Sequence, residues 1–223
     1  MRDLHMHFPE KPKGTQMTRF LLVRHGETHW NREQRIQGQQ NSELSAEGLA
    51  QAQAAAACLA NKDADALISS DLGRTLQTAV PIAAALGLPI TPHAGLRERA
   101  FGIFEGCTLE EIAGRFPEHH AAWRSRDPHY AMPGGESLAQ VRARVKATLE
   151  GIAAQGLREV VVITHGGVLD TVYRLASGIP DDARRAWPLV NASFNHVDID
   201  GGAWSLREWG VVSHLRGAGD ETV

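Results

Sequence analysis

Phe20-Leu21-Leu22-Val23-Arg24-His25-Gly26 is a short, continuous apolar run that ends abruptly in a cation, an imidazole and a glycine. Four apolar residues without polar alternation read as a strand buried on both faces, as in a parallel sheet. Val160-Val161-Val162-Ile163 has the same form and ends at Thr164-His165-Gly166-Gly167, and a weaker run, Ala66-Leu67-Ile68, ends at Ser69-Ser70-Asp71. Helical patterns separate these runs. Ser45 is placed to cap a helix with Leu44 and Leu49 as its staple, and Leu49, Ala52, Ala56 and Leu59 recur on one face. Further helices are expected over about 73–86, with Pro81 kinking or dividing the element, over 137–154 and over 167–177. Strands alternating with helices predict an α/β fold of three layers, a largely parallel sheet with helices on both faces.

Residues 95–136 break the alternation, being richer in Gly, Pro, Arg and His with a short helical piece at 109–116. They read as an insertion over the carboxyl ends of the strands, a lid in which substrate specificity is expected to lie. Phe194 to Ile199 alternates and is expected as an edge strand before a Gly201-Gly202 turn. The organisation expected is a single domain over 19–214, a flexible extension over 1–18 and a loose tail over 215–223. Within the extension, His5 and His7 have a spacing that could hold a metal, but chain ends of this kind are commonly poorly ordered. Met17 is an alternative start.

The 223 residues are 43% hydrophobic and 22% charged, ordinary for a globular chain, and no repeat is visible. A formal net charge of -3 argues against a nucleic-acid partner, which calls for a surplus of clustered Lys and Arg. No apolar run approaches the roughly 18 residues that span a bilayer, and the first residues lack an apolar stretch of signal-peptide length. A cytoplasmic location without membrane contact is the default expectation, with Cys58 and Cys107 as reduced thiols. The partner expected is a small soluble molecule, and nothing in the chain reports an oligomeric state.

In open α/β sheets ligands bind in the crevice outside the carboxyl ends of the strands. Two strands that each end in His-Gly would bring His25 and His165 together there if they are neighbours. Leu22-Val23-Arg24-His25-Gly26-Glu27-Thr28, with Asn31 and Gln37-Gly38 downstream, resembles the opening signature of the histidine phosphatase superfamily, the phosphoglycerate mutase-like enzymes. Four more blocks follow in that family's order: Ser70 to Ala79, with Asp71, Arg74 and Thr78; Leu96-Arg97-Glu98 with Phe101-Gly102 and Glu105-Gly106; Gly134-Gly135-Glu136-Ser137; and Thr164-His165-Gly166-Gly167. The resemblance covers roughly residues 19–200.

It implies hydrolysis of a phosphomonoester through a phosphohistidine on His25, with neither metal nor cofactor. A neutral imidazole is a good nucleophile toward phosphorus, and neighbouring cations keep it neutral. Arg24 and Arg74 would hold the nonbridging oxygens with their forked donors. His165 would donate to the transferring phosphoryl group, while Asn31, Gln37, Gly38 and Gly166 would complete the phosphate pocket. Together these groups take the part that magnesium plays in other phosphoryl-transfer enzymes. Glu98 falls where the family has its proton donor. Glu136 reads as either a pocket-rim ligand or a carboxylate at a helix N-terminus, with the second preferred.

Three other readings compete. A zinc hydrolase could use His25, His165 and Glu98, but Arg24 and Arg74 would repel a divalent cation in the same pocket. A mutase of the same family usually carries a longer segment between Gly106 and Gly134, whereas Pro133-Gly134-Gly135-Glu136-Ser137 resembles the phosphatases. Thr75 and Phe104 depart from the family pattern and bear on subgroup, not on chemistry. A catalytically silent binding module would have lost a reactive residue, and none is lost.

Overall fold

The computed structural model describes residues 17–215, so His5, His7 and the tail beyond 215 lie outside the described residues. Six strands form one sheet: β1 (Thr18–Arg24), β2 (Ala66–Ser69), β3 (Ile90–Pro92), β4 (Glu159–Thr164), β5 (Phe194–Asp200) and β6 (Ala203–Val211), in the order β3-β2-β4-β1-β5-β6. The first four in that order are parallel, β5 adds antiparallel to β1, and β6 adds antiparallel to β5. The helices are α1 (His29–Arg32), α2 (Ala46–Leu59), α3 (Gly73–Leu86), α4 (Leu109–Arg115), α5 (Pro117–Arg124), α6 (Leu138–Ala153) and α7 (Gly166–Ser177).

The apolar runs alternate between two cores because successive side chains of a strand point to opposite faces. Phe20, Leu22, Val160 and Val162 pack with Val141, Val145 and Leu149 of α6 and Val168, Leu169 and Val172 of α7. Leu21, Val23, Val161 and Ile163 pack with Ala55, Ala56 and Leu59 of α2 and Ala79 and Ile82 of α3. Both faces are therefore covered, which is why these strands carry no polar alternation. Each such side chain contributes about 1.5–3 kcal/mol of burial.

The structure departs from the sequence reading at several points. Pro81 does not divide α3, which runs unbroken through it. It removes one backbone hydrogen bond, but Ala79 and Ile82, both buried, hold the helix against the sheet on either side of it. Leu49 is 52% exposed and staples nothing. The buried face of α2 is instead Gly48, Ala52, Ala55, Ala56 and Leu59, because Gly48 abuts the chain after β1, where a Cβ would stand 1.9 Å from the Glu27 carbonyl. β5 is internal, since β6 covers its far side and forms the edge. Thr18 already belongs to β1, its hydroxyl donating to the Leu157 carbonyl at 2.6 Å. The 95–136 insertion carries α4 and α5 around a small core of its own, Phe104, Cys107, Ile112 and Met132, with Trp123 edge-on to Phe104 at 5.8 Å.

Candidate active site

β1 and β4 are adjacent, with Arg24 opposite Thr164 in register. His25 and His165 therefore leave their strands at the same level, His25 N donating to the Thr164 carbonyl at 2.9 Å and the two rings lying 5.3 Å apart. Gly26 lets the chain turn beneath α2, since a Cβ there would meet the Gly48 carbonyl at 2.4 Å. Its N–H donates to Thr78 Oγ1 at 3.0 Å. His25 Nδ1 lies 2.8 Å from the Gly26 carbonyl, which can only accept. Nδ1 thus carries the proton and Nε2 keeps its lone pair.

Both rings are held neutral. Burial, then Arg74, then Arg24 push the His25 pKa well below the ordinary histidine value, and burial leads the same shift at His165, followed by Arg74, His25 and Arg24. A depressed histidine binds fewer protons in the folded than in the unfolded chain, so folding stability rises with pH and is lost as pH falls through the unfolded value of about 6.5. Denaturant melts between pH 7.5 and pH 5 are expected to show this decline, smaller in His25→Ala. An equal decline in the variant would exclude His25 as a contributor.

Arg74 is buried at the start of α3, donating through Nη1 to the Gln40 carbonyl and through Nη2 to the Gly38 carbonyl, each at 2.8 Å. Burial lowers its pKa to about 10, which leaves it cationic at neutral pH. Arg24, partly buried, donates through Nη1 to the Leu189 carbonyl. The buried Nε atoms of both arginines, His165 Nδ1 and Gln37 Oε1 have no partner among the described residues. Unpartnered buried polar atoms are costly; three of these four can donate, and they belong to groups that surround His25.

Glu98 sits across from them. Its Oε1 accepts from Arg99 N at 2.7 Å and its Oε2 from Gly167 N at 3.0 Å, in the first turn of α7. Gly167 permits this approach, as a Cβ would fall 2.2 Å from Glu98 Oε1. Asn31 Oδ1 accepts from Thr28 N and Thr28 Oγ1, both at 3.1 Å, and so caps α1. Gly38, at φ +54, contributes its carbonyl to Arg74. Glu136 serves neither the pocket rim nor the first turn of α6, where Ser137 is the cap. Its carboxylate accepts from Ala100 N at 2.9 Å and from Arg144 at 2.8 and 2.9 Å, tying the insertion to α6.

The sequence reading missed Ser70 as a partner of His165, the two 2.8 Å apart at Oγ and Nε2, and Asn191, whose Nδ2 donates to the His25 carbonyl at 2.9 Å. It also missed Glu105, which holds the 38–40 loop by accepting from Gln39 N and Gln40 N at 3.0 and 3.2 Å. Ser70 and Glu105 both stand inside motif blocks and could have been found there; Asn191 stands in none. Among the described residues, no three His, Cys, Asp or Glu side chains converge as metal ligands. A cavity of about 720 Å³ opens beside Arg24, Gly166 and Gly167, lined further by residues of the insertion, of α7 and of the loop after it.

Two buried, facing imidazoles with Arg24 and Arg74 beside them, at the carboxyl end of a doubly covered sheet, make a cationic pocket suited to an anion. Residues 20–212 match the family model described as histidine phosphatase superfamily (branch 1), and the chain belongs to that family. It is 39% identical over 209 residues to the metal-independent phosphoserine phosphatase of Arabidopsis thaliana, covering 92% of this chain and 86% of that one. It is also 38% identical over 204 residues to phosphoglycerate mutase-like protein 4 of the same plant, covering 89% and 87%. Among solved structures, Bacillus stearothermophilus YhfR matches with a TM-score of 0.82 at 32% identity over 89% of this chain and 99% of its own. A mycobacterial glucosyl-3-phosphoglycerate phosphatase matches with 0.77 at 31% over 88% and 100%. The protein is thus an enzyme of the histidine phosphatase type. No helix among the described residues is long and apolar enough to cross a membrane.

Proposed function

We propose that the enzyme hydrolyses a small phosphomonoester in two steps, through a phosphohistidine at His25 Nε2. The observation that carries this is the tautomer of His25: Nδ1 is engaged with the Gly26 carbonyl, so the free lone pair belongs to a neutral, buried nitrogen among cations. In the first step Nε2 forms a bond to phosphorus as the bond to the ester oxygen breaks, and the departing oxygen takes a proton from Glu98. In the second step water attacks phosphorus, its proton passes to Glu98 carboxylate, and the bond to Nε2 breaks. Arg24, Arg74 and His165 Nδ1 take the nonbridging oxygens; with Ser70 giving its hydroxyl proton to Nε2, His165 keeps a proton on Nδ1 to donate. Asn31 Nδ2, Gln37 and the Gly38 and Gly166 backbone complete the pocket for the phosphoryl oxygens.

Relatives carry both phosphatase and phosphoglycerate mutase names, and the short 106–134 segment supports hydrolysis over mutase transfer. Rapid quenching with labelled substrate in the presence of chelator is expected to trap an acid-labile, base-stable phosphoenzyme, and orthovanadate to inhibit competitively. Label on serine or aspartate, or loss of turnover restored by a divalent metal, would overturn the mechanism. Label passing to an added hydroxyl acceptor in preference to water would make the enzyme a mutase.

A further inference from the structure

The cavity beside the reaction centre is unusually cationic for a chain of net charge -3. Several of its arginines are occupied in holding one loop, residues 178–193, that follows α7. Arg126 donates to the Asp182 and Ala183 carbonyls at 2.9 and 2.6 Å, and Arg174 to the Ala183 carbonyl at 3.0 Å. Arg142 adds an ion pair to Asp181 at 2.8 Å. The loop is thereby fixed at 180–183, and the next two residues, Arg184 and Arg185, line the cavity. Both are exposed, and among the described residues neither side chain has a hydrogen bond or ion pair; the side chain of Arg124, exposed at the end of α5 on the same cavity, has none either. The acidic groups there offer little compensation: Asp170 is paired with Arg174 at 2.8 Å, and Asp127 accepts from His129 N at 2.9 Å. Arg185 also adds its positive field to Arg24.

Unpaired cations held close together repel one another unless an anion joins them, and the reacting phosphoryl group already has Arg24 and Arg74. The cavity volume also falls in the range of sites that bury a whole small molecule, not a phosphate alone. We propose that Arg184 and Arg185 form a second anion subsite, and that the substrate is a phosphomonoester bearing a further carboxylate or phosphate away from the reacting group. This rests on the hydrolase reading for the other end of the molecule. It also moves part of the specificity from the 95–136 insertion, where the sequence suggested it, to the loop after α7.

Matched esters test it: phosphoserine against phosphoethanolamine and 3-phosphoglycerate against glycerol 3-phosphate for a carboxylate, and fructose 1,6-bisphosphate against fructose 6-phosphate for a second phosphate. The wild-type enzyme is expected to favour the more acidic member of at least one pair by about ten- to hundredfold in kcat/KM, the range for charge-assisted hydrogen bonds. The pair that shows the preference identifies the anion. In Arg184→Gln/Arg185→Gln the preference should collapse, and Arg185→Lys, which keeps charge without the fork, should restore part of it. Persisting turnover of p-nitrophenyl phosphate reports that each variant is folded. No preference in the wild type, or equal losses for both members in the double variant, would overturn the subsite and leave only electrostatic steering. If no ester is hydrolysed, the hydrolase reading fails by itself, and calorimetric binding of the same pairs decides the subsite: acid preference lost in the double variant upholds it, equal binding overturns it.

Discussion

Replacing His25 by alanine is expected to abolish turnover of every phosphomonoester, by a factor on the order of 10⁴–10⁶, because removing a covalent nucleophile closes the two-step route and leaves only stabilisation by the surrounding donors. The buried pocket would lose its only unprotonated nitrogen with a free lone pair, since His165 Nε2 is engaged with Ser70. Arg24 and Arg74 would remain, so inorganic phosphate should still bind the variant, measurable by calorimetry. Turnover within tenfold of the wild type would rule out His25 as nucleophile; loss of both phosphate binding and cooperative unfolding would mean that the fold had failed, and His25→Gln should then be measured in its place.

The second large effect is expected at Glu98, and it depends on the leaving group. A proton donor matters only when the departing oxygen is too basic to leave unaided. p-Nitrophenyl phosphate releases a stable phenolate, whereas an alkyl phosphate releases an alkoxide. Glu98→Gln should therefore slow phosphoenzyme formation by about 10²–10⁴-fold for alkyl esters and far less for the aryl ester. Stopped-flow or quench measurement of that step is required, because Glu98 is also assigned to water activation in the second step and would slow steady-state turnover of both. Glutamine keeps one acceptor oxygen, so one of the bonds from Arg99 N and Gly167 N would be lost. A purely positional role for Glu98 predicts equal damage to both esters, and that result would send the search for the donor elsewhere.

Much of this was legible in the sequence because the decisive residues lie where local pattern and chemistry coincide. Leu22-Val23-Arg24-His25 and Val162-Ile163-Thr164-His165 announce buried strands and reactive ends in the same few residues, and their pairing brings the rings together. What was not legible depended on tertiary contact. β3 is three residues long and carries Pro92, too short for a period. Leu49 looked like a core position until the approach of Gly48 to the loop after β1 fixed the rotation of α2. The side chain of Glu136 is engaged with Ala100 and Arg144, partners that its own spacing does not reveal. Arg184 and Arg185 stand in a segment without periodicity, and only the fixing of that loop by Arg126 and Arg174 aligns them with the cavity.

The adjacency of β1 and β4 bears on how the molecule acquires its activity. The two strands come from opposite halves of the chain, and each supplies one of the facing imidazoles. Their pairing closes a loop that includes α2, α3, the insertion and α6, a non-local contact whose entropy cost slows folding. Both neighbours of β1, β4 and β5, are made late in the chain, and the core under α2 and α3 includes Val161 and Ile163 of β4, so an emerging chain has neither a paired β1 nor a second histidine until β4 has been made and seated. Regain of phosphatase turnover during refolding should accordingly lag behind the recovery of helical signal, and it reports on closure of the β1–β4 ladder.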